Sequence, residues 1–149
     1  MEQKTFPAMT CELNNVLAMI ESECEKLDVP MAAQMQLSVA VEELFVNVAN
    51  YAYGTVKKDT GSIIPASQTD VTKTCNVSVY REDKYIVVRL EDDGVPFDPF
   101  DKSDPDVTMK AEDRQVGGLG IFLVKKTMDE YEYRREDNRN IVVIKKAIA

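Results

Sequence analysis

The sequence predicts an α+β fold: a two-layer sandwich whose mixed, mostly antiparallel sheet carries helices on one face. Three observations carry that expectation. Residues 9 to 53 hold two helical apolar periods in succession. After residue 75, two pairs of alternating stretches read as strands. A short helical period at about 119–128 separates the two pairs.

The first helix, about 9–27, is set by Leu13, Val16, Leu17, Ile20, Cys24 and Leu27, spaced three or four apart. Asp28-Val29-Pro30 breaks it, and Pro30 suits the first turn of a second helix. That helix runs to about Tyr53 and stops at Gly54. Residues 55–75 are polar and turn-rich, a long loop or loose hairpin. Strands at 76–81 and 85–91 flank the turn Glu82-Asp83-Lys84. Residues 95–116 hold no sustained period, with Pro96, Pro99 and Pro105 among many acids, and read as a long loop. Strands at 130–135 and 140–148 close the chain.

Composition narrows the chemistry. The 149 residues, 44% hydrophobic and 30% charged, fit one globular domain over 1–149. No apolar run reaches the ~18 residues needed to cross a bilayer, and MEQKTFPAM has no signal-peptide core, so a cytoplasmic location away from membranes is expected. A net charge of −8 opposes binding to nucleic acid. Cys11, Cys24 and Cys75 match no metal spacing and read as reduced thiols. The chain has no histidine, which removes Ser-His-Asp and Cys-His nucleophile systems and the zincin motif. A general base here falls to a carboxylate.

On the second helix, Leu37, Val41, Leu44, Val48 and Tyr51 share one face, while Glu43, Asn47 and Asn50 share another. Val39 and Val46 lie beyond the polar stripe. No Lys or Arg occurs between Lys26 and Lys57, so Glu42 and Glu43 have no basic partner on their own helix. One acid plus one amide oxygen suits a hydrated Mg²⁺ completed by phosphates. Taken alone, the stripe reads better as the solvated face of an ordinary surface helix. The strand at 85–91 ends in EDDGVPFDP, where Asp92 can accept from an exocyclic amine and Gly94 admits a planar ring, or where the chain simply turns. VGGLGIFLV opens the third helix with Gly117, Gly118 and Gly120, which suits either a helix start or a cradle for phosphate.

The three sites in this order are more telling than any one of them. A helix with Glu43-x-x-x-Asn47, a strand ending Asp92-x-Gly94, and Gly118-x-Gly120 entering a helix resemble the three boxes of the Bergerat-fold ATPases, the superfamily of gyrase and the histidine kinases. Within it, AVEELFVNVANYAYG, DDGVPFDP and GGLGIFLV look most like the anti-sigma-factor serine/threonine kinases. The resemblance spans nearly the whole chain, from FPA near the start to the last strand. Asp-x-Gly-x-x-Phe-Asp and the free-standing length are marks of that branch.

That resemblance implies ATP and Mg²⁺ as cofactors and assigns roles. Glu43 would take the proton from an attacking serine, and Asn47 would bind Mg²⁺. Asp92 would accept from the adenine amine, with Gly94 making room for the ring. Residues 95–116 would form the ATP lid, with Arg114 on the phosphates. Gly117, Gly118 and Gly120 would present backbone N–H groups to the phosphates. The implied partners are a sigma factor and a STAS-domain anti-anti-sigma protein whose serine is phosphorylated, with a homodimer as the usual assembly.

Three positions depart from the family pattern. Tyr51 stands where many relatives have histidine, the 55–75 segment is longer, and Asn140 stands where many carry Gly-Thr. Two other readings compete: an ATP-binding module that sequesters a regulator without catalysis, and the catalytic domain of a histidine kinase. A base at Glu43 favours the kinase over the first. Zero histidines and a single leading helix oppose the second.

Overall fold

A computed structural model describes residues 1–101 and 118–148. Strand β1 (Glu2–Pro7) leads through a 3₁₀ turn (Thr10–Glu12) into helix α1 (Leu13–Lys26). Helix α2 (Met31–Asn47) continues as a π-helical turn (Val48–Ala52), so the helical winding ends where the periodicity predicts. Pro30 takes the capping position with extended ψ (143°), just before the first turn. Short strands β2 (Thr55–Val56) and β3 (Ile63–Ile64) pair as a small hairpin. Then follow β4 (Thr74–Glu82), β5 (Tyr85–Asp92), α3 (Gly118–Thr127), β6 (Glu130–Glu136) and β7 (Arg139–Ala147).

The main sheet has the order β1-β4-β5-β7-β6. Every described pairing is antiparallel, a correction to the mixed sheet expected from the sequence. The reason is connectivity: β4–β5 and β6–β7 are tight hairpins, turning at Asp83 and at Asp137-Asn138 with positive φ. β1 is also new. Only Phe6 of its six residues is buried, so it shows no alternation; a backbone ladder from Glu2↔Val79 to Pro7↔Thr74 holds it at the sheet edge.

One face of the sheet carries the core. Cys75, Val77 and Val79 of β4, Ile86, Val88 and Leu90 of β5, and Val142 and Ile144 of β7 pack under the helices. α2 lies against both α1 and α3, contributing Leu37, Val41, Leu44 and Phe45. Each such side chain contributes about 1.5–3 kcal/mol on burial. The other face is closed over Val87, Ile141 and Val143 by Tyr80 and Tyr85. All three cysteines are free; Cys24 and Cys75 are buried, and burial pushes the Cys24 thiol up to about 11. No described helix is long and apolar enough to cross a membrane.

Candidate functional site

The site grows out of the ends of the core rows. Along β5 the inward positions run Ile86, Val88, Leu90, Asp92; along β7 they run Ile144, Val142, Asn140. Strict alternation therefore aims one carboxylate and one amide at the same end of the sheet, in register with each other (Asp92↔Asn140). Both are buried, at 5% and 1% exposure. α2 brings a second polar pair to that end. With Leu44 and Val48 pinned to the core, the helical period turns Asn47 inward to 8% exposure and leaves Glu43 half-buried. Asn47 Nδ2 donates to Glu43 Oε1 at 3.4 Å.

Asp92 accepts two hydrogen bonds at one oxygen. Gly94 N–H (2.9 Å) and Asn140 Nδ2 (2.8 Å) both reach Oδ1. Among the described residues Oδ2 is left as the acceptor for a ligand. Burial raises the carboxyl above its ordinary range, while the Asn140 and Gly94 bonds pull it back. A small cavity of about 10 Å³ remains beside it, walled by Leu44, Val48, Leu90 and Val142 with Phe97 and Pro99 closing in. That volume holds about one water. The Phe97 ring rests 5.5 Å from that of Tyr51, giving Tyr51 a packing role beside the site.

The glycines answer to specific neighbours. A Cβ on Gly94 would lie 2.1 Å from the Ala52 carbonyl oxygen, so the chain itself fills the space expected for a ring. A Cβ on Gly120 would lie 2.2 Å from the Glu43 carboxylate. The acid is thus seated against the first turn of α3, where unpaired N–H groups and the helix dipole favour negative charge. Gly118 begins that helix. Gly117, Arg114 and residues 102–116 of the expected lid lie outside the described residues.

The structure therefore brings Glu43, Asn47 and Gly120 together, and sets Asp92 beside Asn47 across the cavity. Asn50 is not with them. Its side-chain oxygen accepts from Gln68 Nε2 and its carbonyl from Ala66 N–H at 2.8 Å, so it anchors the 65–68 stretch. Three residues to which the sequence assigns no site role matter here. Asn140 and Arg135 surround the Asp92 turn, Arg135 donating to the Gly94 carbonyl at 2.8 Å. The Tyr53 hydroxyl lies 2.8 Å from the Asp93 carboxylate and accepts the Asp93 N–H at 3.2 Å, holding that acid away from its neighbour's pocket. Only the registers of β5 with β7 and of β7 with β6 bring the first two to it.

The amide of α2 and the strand-end aspartate line one cavity on one sheet face, and the acid of α2 meets the glycine-opened helix α3. Comparison with curated proteins gives no match. A model of the histidine kinase-like ATPase domain matches residues 6–146, which takes in every element from the end of β1 to β7. The chain belongs to the histidine kinase-like ATPase family, an ATP-binding module of the GHKL superfamily.

Proposed function

We propose that this protein is an ATP-dependent serine/threonine protein kinase of the anti-sigma type, acting on a STAS-domain anti-anti-sigma protein. The observation that carries the reading is the Glu43 carboxylate seated against Gly120 at the start of α3, with Asn47 one helical turn away. Binding ATP alone needs no base at that place. Phosphoryl transfer does use a positioned acceptor for the hydroxyl proton.

In this reading Asp92 Oδ2 accepts from the adenine amine, and the first-turn N–H groups of α3 meet the phosphates. The serine oxygen forms the new bond to the γ-phosphorus, the bond to the bridging oxygen breaks, and ADP leaves. Glu43 takes the serine proton. Among the described residues no three acids, cysteines or histidines gather as a metal site. Asn47 nevertheless fits Mg²⁺: with Nδ2 turned to Glu43, its carbonyl oxygen is the end left for a cation otherwise held by water and phosphate. Bound there, the ion would neutralise phosphate charge.

The same reading carries a sigma factor as the sequestered partner, a homodimer and a cytoplasmic location. Its test is transfer of radiolabelled phosphate from ATP to the STAS-type protein encoded nearest this gene. Serine labelling supports the kinase; tight ATP binding with no labelling leaves a sequestering module.

Base choice follows from Asp92. A carboxylate that accepts from the adenine amine faces the carbonyl of guanine, and a charge-assisted bond contributes ~1.5–3 kcal/mol. Calorimetric titration is expected to favour ATP over GTP by roughly ten- to hundredfold. Equal affinities would remove Asp92 from that role.

A further inference from the structure

We infer that residues 65–73, part of the long connection between the π-helical turn and β4, build a second small-molecule site that takes a free amino acid and is linked to nucleotide binding. The family supplies the nucleotide, and the inference does not depend on the kinase reading.

The site is a cavity of about 320 Å³. That is the lower end of the ~300–1,000 Å³ usual for small ligands. It shares no lining residue with the cavity beside Asp92. Ala49 of the π-helical turn and Tyr53 just after it form one wall, and most of the rest comes from 65–70 and Lys73. The segment longer than the family pattern is thus what encloses the space.

That wall is anchored at several points. Ala66 N–H donates to the Asn50 carbonyl, and Ala8 N–H to the Lys73 carbonyl, both at 2.8 Å. Gln68 stands in the left-handed region (φ 58°), a conformation that persists only where neighbours hold it. Here they do: its Nε2 donates to Asn50 Oδ1, and its Oε1 accepts Thr10 N–H at 2.7 Å. A wall already ordered spares a ligand the cost of ordering it.

Charge selects the ligand class. The Thr72 hydroxyl and N–H both bond Asp70 Oδ1, leaving Oδ2 without a partner among the described residues. Those bonds, and then the Lys73 charge, hold the Asp70 carboxyl below its ordinary range. Lys73 Nζ sits 5.9 Å over the Tyr53 ring and makes no ion pair among the described residues. One carboxylate oxygen and one ammonium therefore line the same cavity without bonding each other. A simple anion drawn to Lys73 is opposed by Asp70 and by the chain's net charge of −8. A simple cation meets the reverse conflict at Lys73. A zwitterion satisfies both, its ammonium on Asp70 and its carboxylate on Lys73, with Ala8, Ala49 and Pro65 left to a short side chain.

The link to the nucleotide runs through the same turn. The Asn50 carbonyl holds the wall, while the Ala52 carbonyl accepts Val95 N–H at 2.7 Å, two residues before Phe97 at the Asp92 cavity. Tyr53, whose ring lies under Lys73, bonds the Asp93 carboxylate at 2.8 Å. A ligand that shifts this wall bears on the loop that follows Asp92. Linkage is reciprocal, so ATP must change the affinity of the amino acid by the factor with which the amino acid changes that of ATP.

The experiment records backbone resonances of the nitrogen-15-labelled full chain with each common free L-amino acid at about 10 mM, a concentration suited to contacts between exposed charges. At least one amino acid is expected to give saturable shifts at residues 65–73 and Tyr53. Its N-acetyl derivative lacks the ammonium and its amide lacks the carboxylate, and each is expected to bind roughly threefold weaker or worse. Asp70→Asn keeps the oxygen that Thr72 uses, and Lys73→Met keeps the stem over Tyr53; both are expected to weaken the amino acid similarly, with melting temperatures showing that they fold. Calorimetry is expected to show ATP affinity changed roughly fivefold or more by the saturating amino acid. No saturable shift with any amino acid overturns the site. Equal binding of either derivative, or of acetate, overturns the zwitterion, and an unchanged ATP affinity overturns the link. No phosphate transfer is measured, so the kinase reading stands or falls separately.

Discussion

Glu43→Gln is expected to lower phosphate transfer to the proposed STAS-type substrate by roughly 10²–10⁴-fold while ATP affinity changes little. Glutamine keeps the length and can still accept from Asn47 Nδ2, which lies 3.4 Å from Oε1 in the native protein. What it lacks is a lone pair basic enough to take a proton from serine. The two quantities must be read together, since a loss of transfer through lost nucleotide would lower both. Single-turnover labelling at saturating ATP, beside calorimetric ATP affinity, separates them. Transfer within threefold of wild type would show that Glu43 is not the base.

The second large effect comes from a residue with no side chain. Gly120→Ala puts a methyl group where the Glu43 carboxylate stands, at 2.2 Å, too close for the two to coexist. The carboxylate is the far end of a flexible side chain and moves; the helices need not. A displacement of about 1 Å at a reacting group costs ~10²-fold, so transfer is expected to fall by that order with the melting temperature nearly unchanged. Combining it with Glu43→Gln should add little, because both changes remove the same positioned oxygen. Equal and independent losses would show that Gly120 matters for another reason, its own N–H on the phosphates.

The parts of this protein that were legible in its sequence are those whose signal is local. Leu37, Val41, Leu44 and Val48 repeat at helical spacing, which fixes the phase of α2 and so the inward turn of Asn47. Asp92 could be found because it ends an alternating strand next to a glycine. β1 was hidden because an edge strand with a single buried residue has no period to detect. Asn50 misled for a related reason: helical spacing puts it beside Asn47, but its partners Ala66 and Gln68 come from a segment the period says nothing about. Asn140 stands in NRNIVVIKK, where the sequence marks it only as a departure from the Gly-Thr of many relatives. Its meaning comes from lying opposite Asp92, 48 residues earlier in the chain.

The π-helical turn after α2 divides this protein into lengths that can vary and lengths that cannot. Its Asn50 carbonyl holds Ala66 N–H and its Ala52 carbonyl holds Val95 N–H, at 2.8 and 2.7 Å. Between Val56 and Ile63 the chain is a hairpin tip already closed at its base by the β2–β3 pairing, and residues can be added or removed there at small entropic cost. Inside Val48–Ala52 the tolerance vanishes. Deleting one residue would rotate the Ala52 carbonyl by about 100° around the helix axis and withdraw it from Val95, just before Phe97 and Pro99 at the cavity. Insertions and deletions among natural variants of this chain should therefore gather at the hairpin tip and stop at the turn.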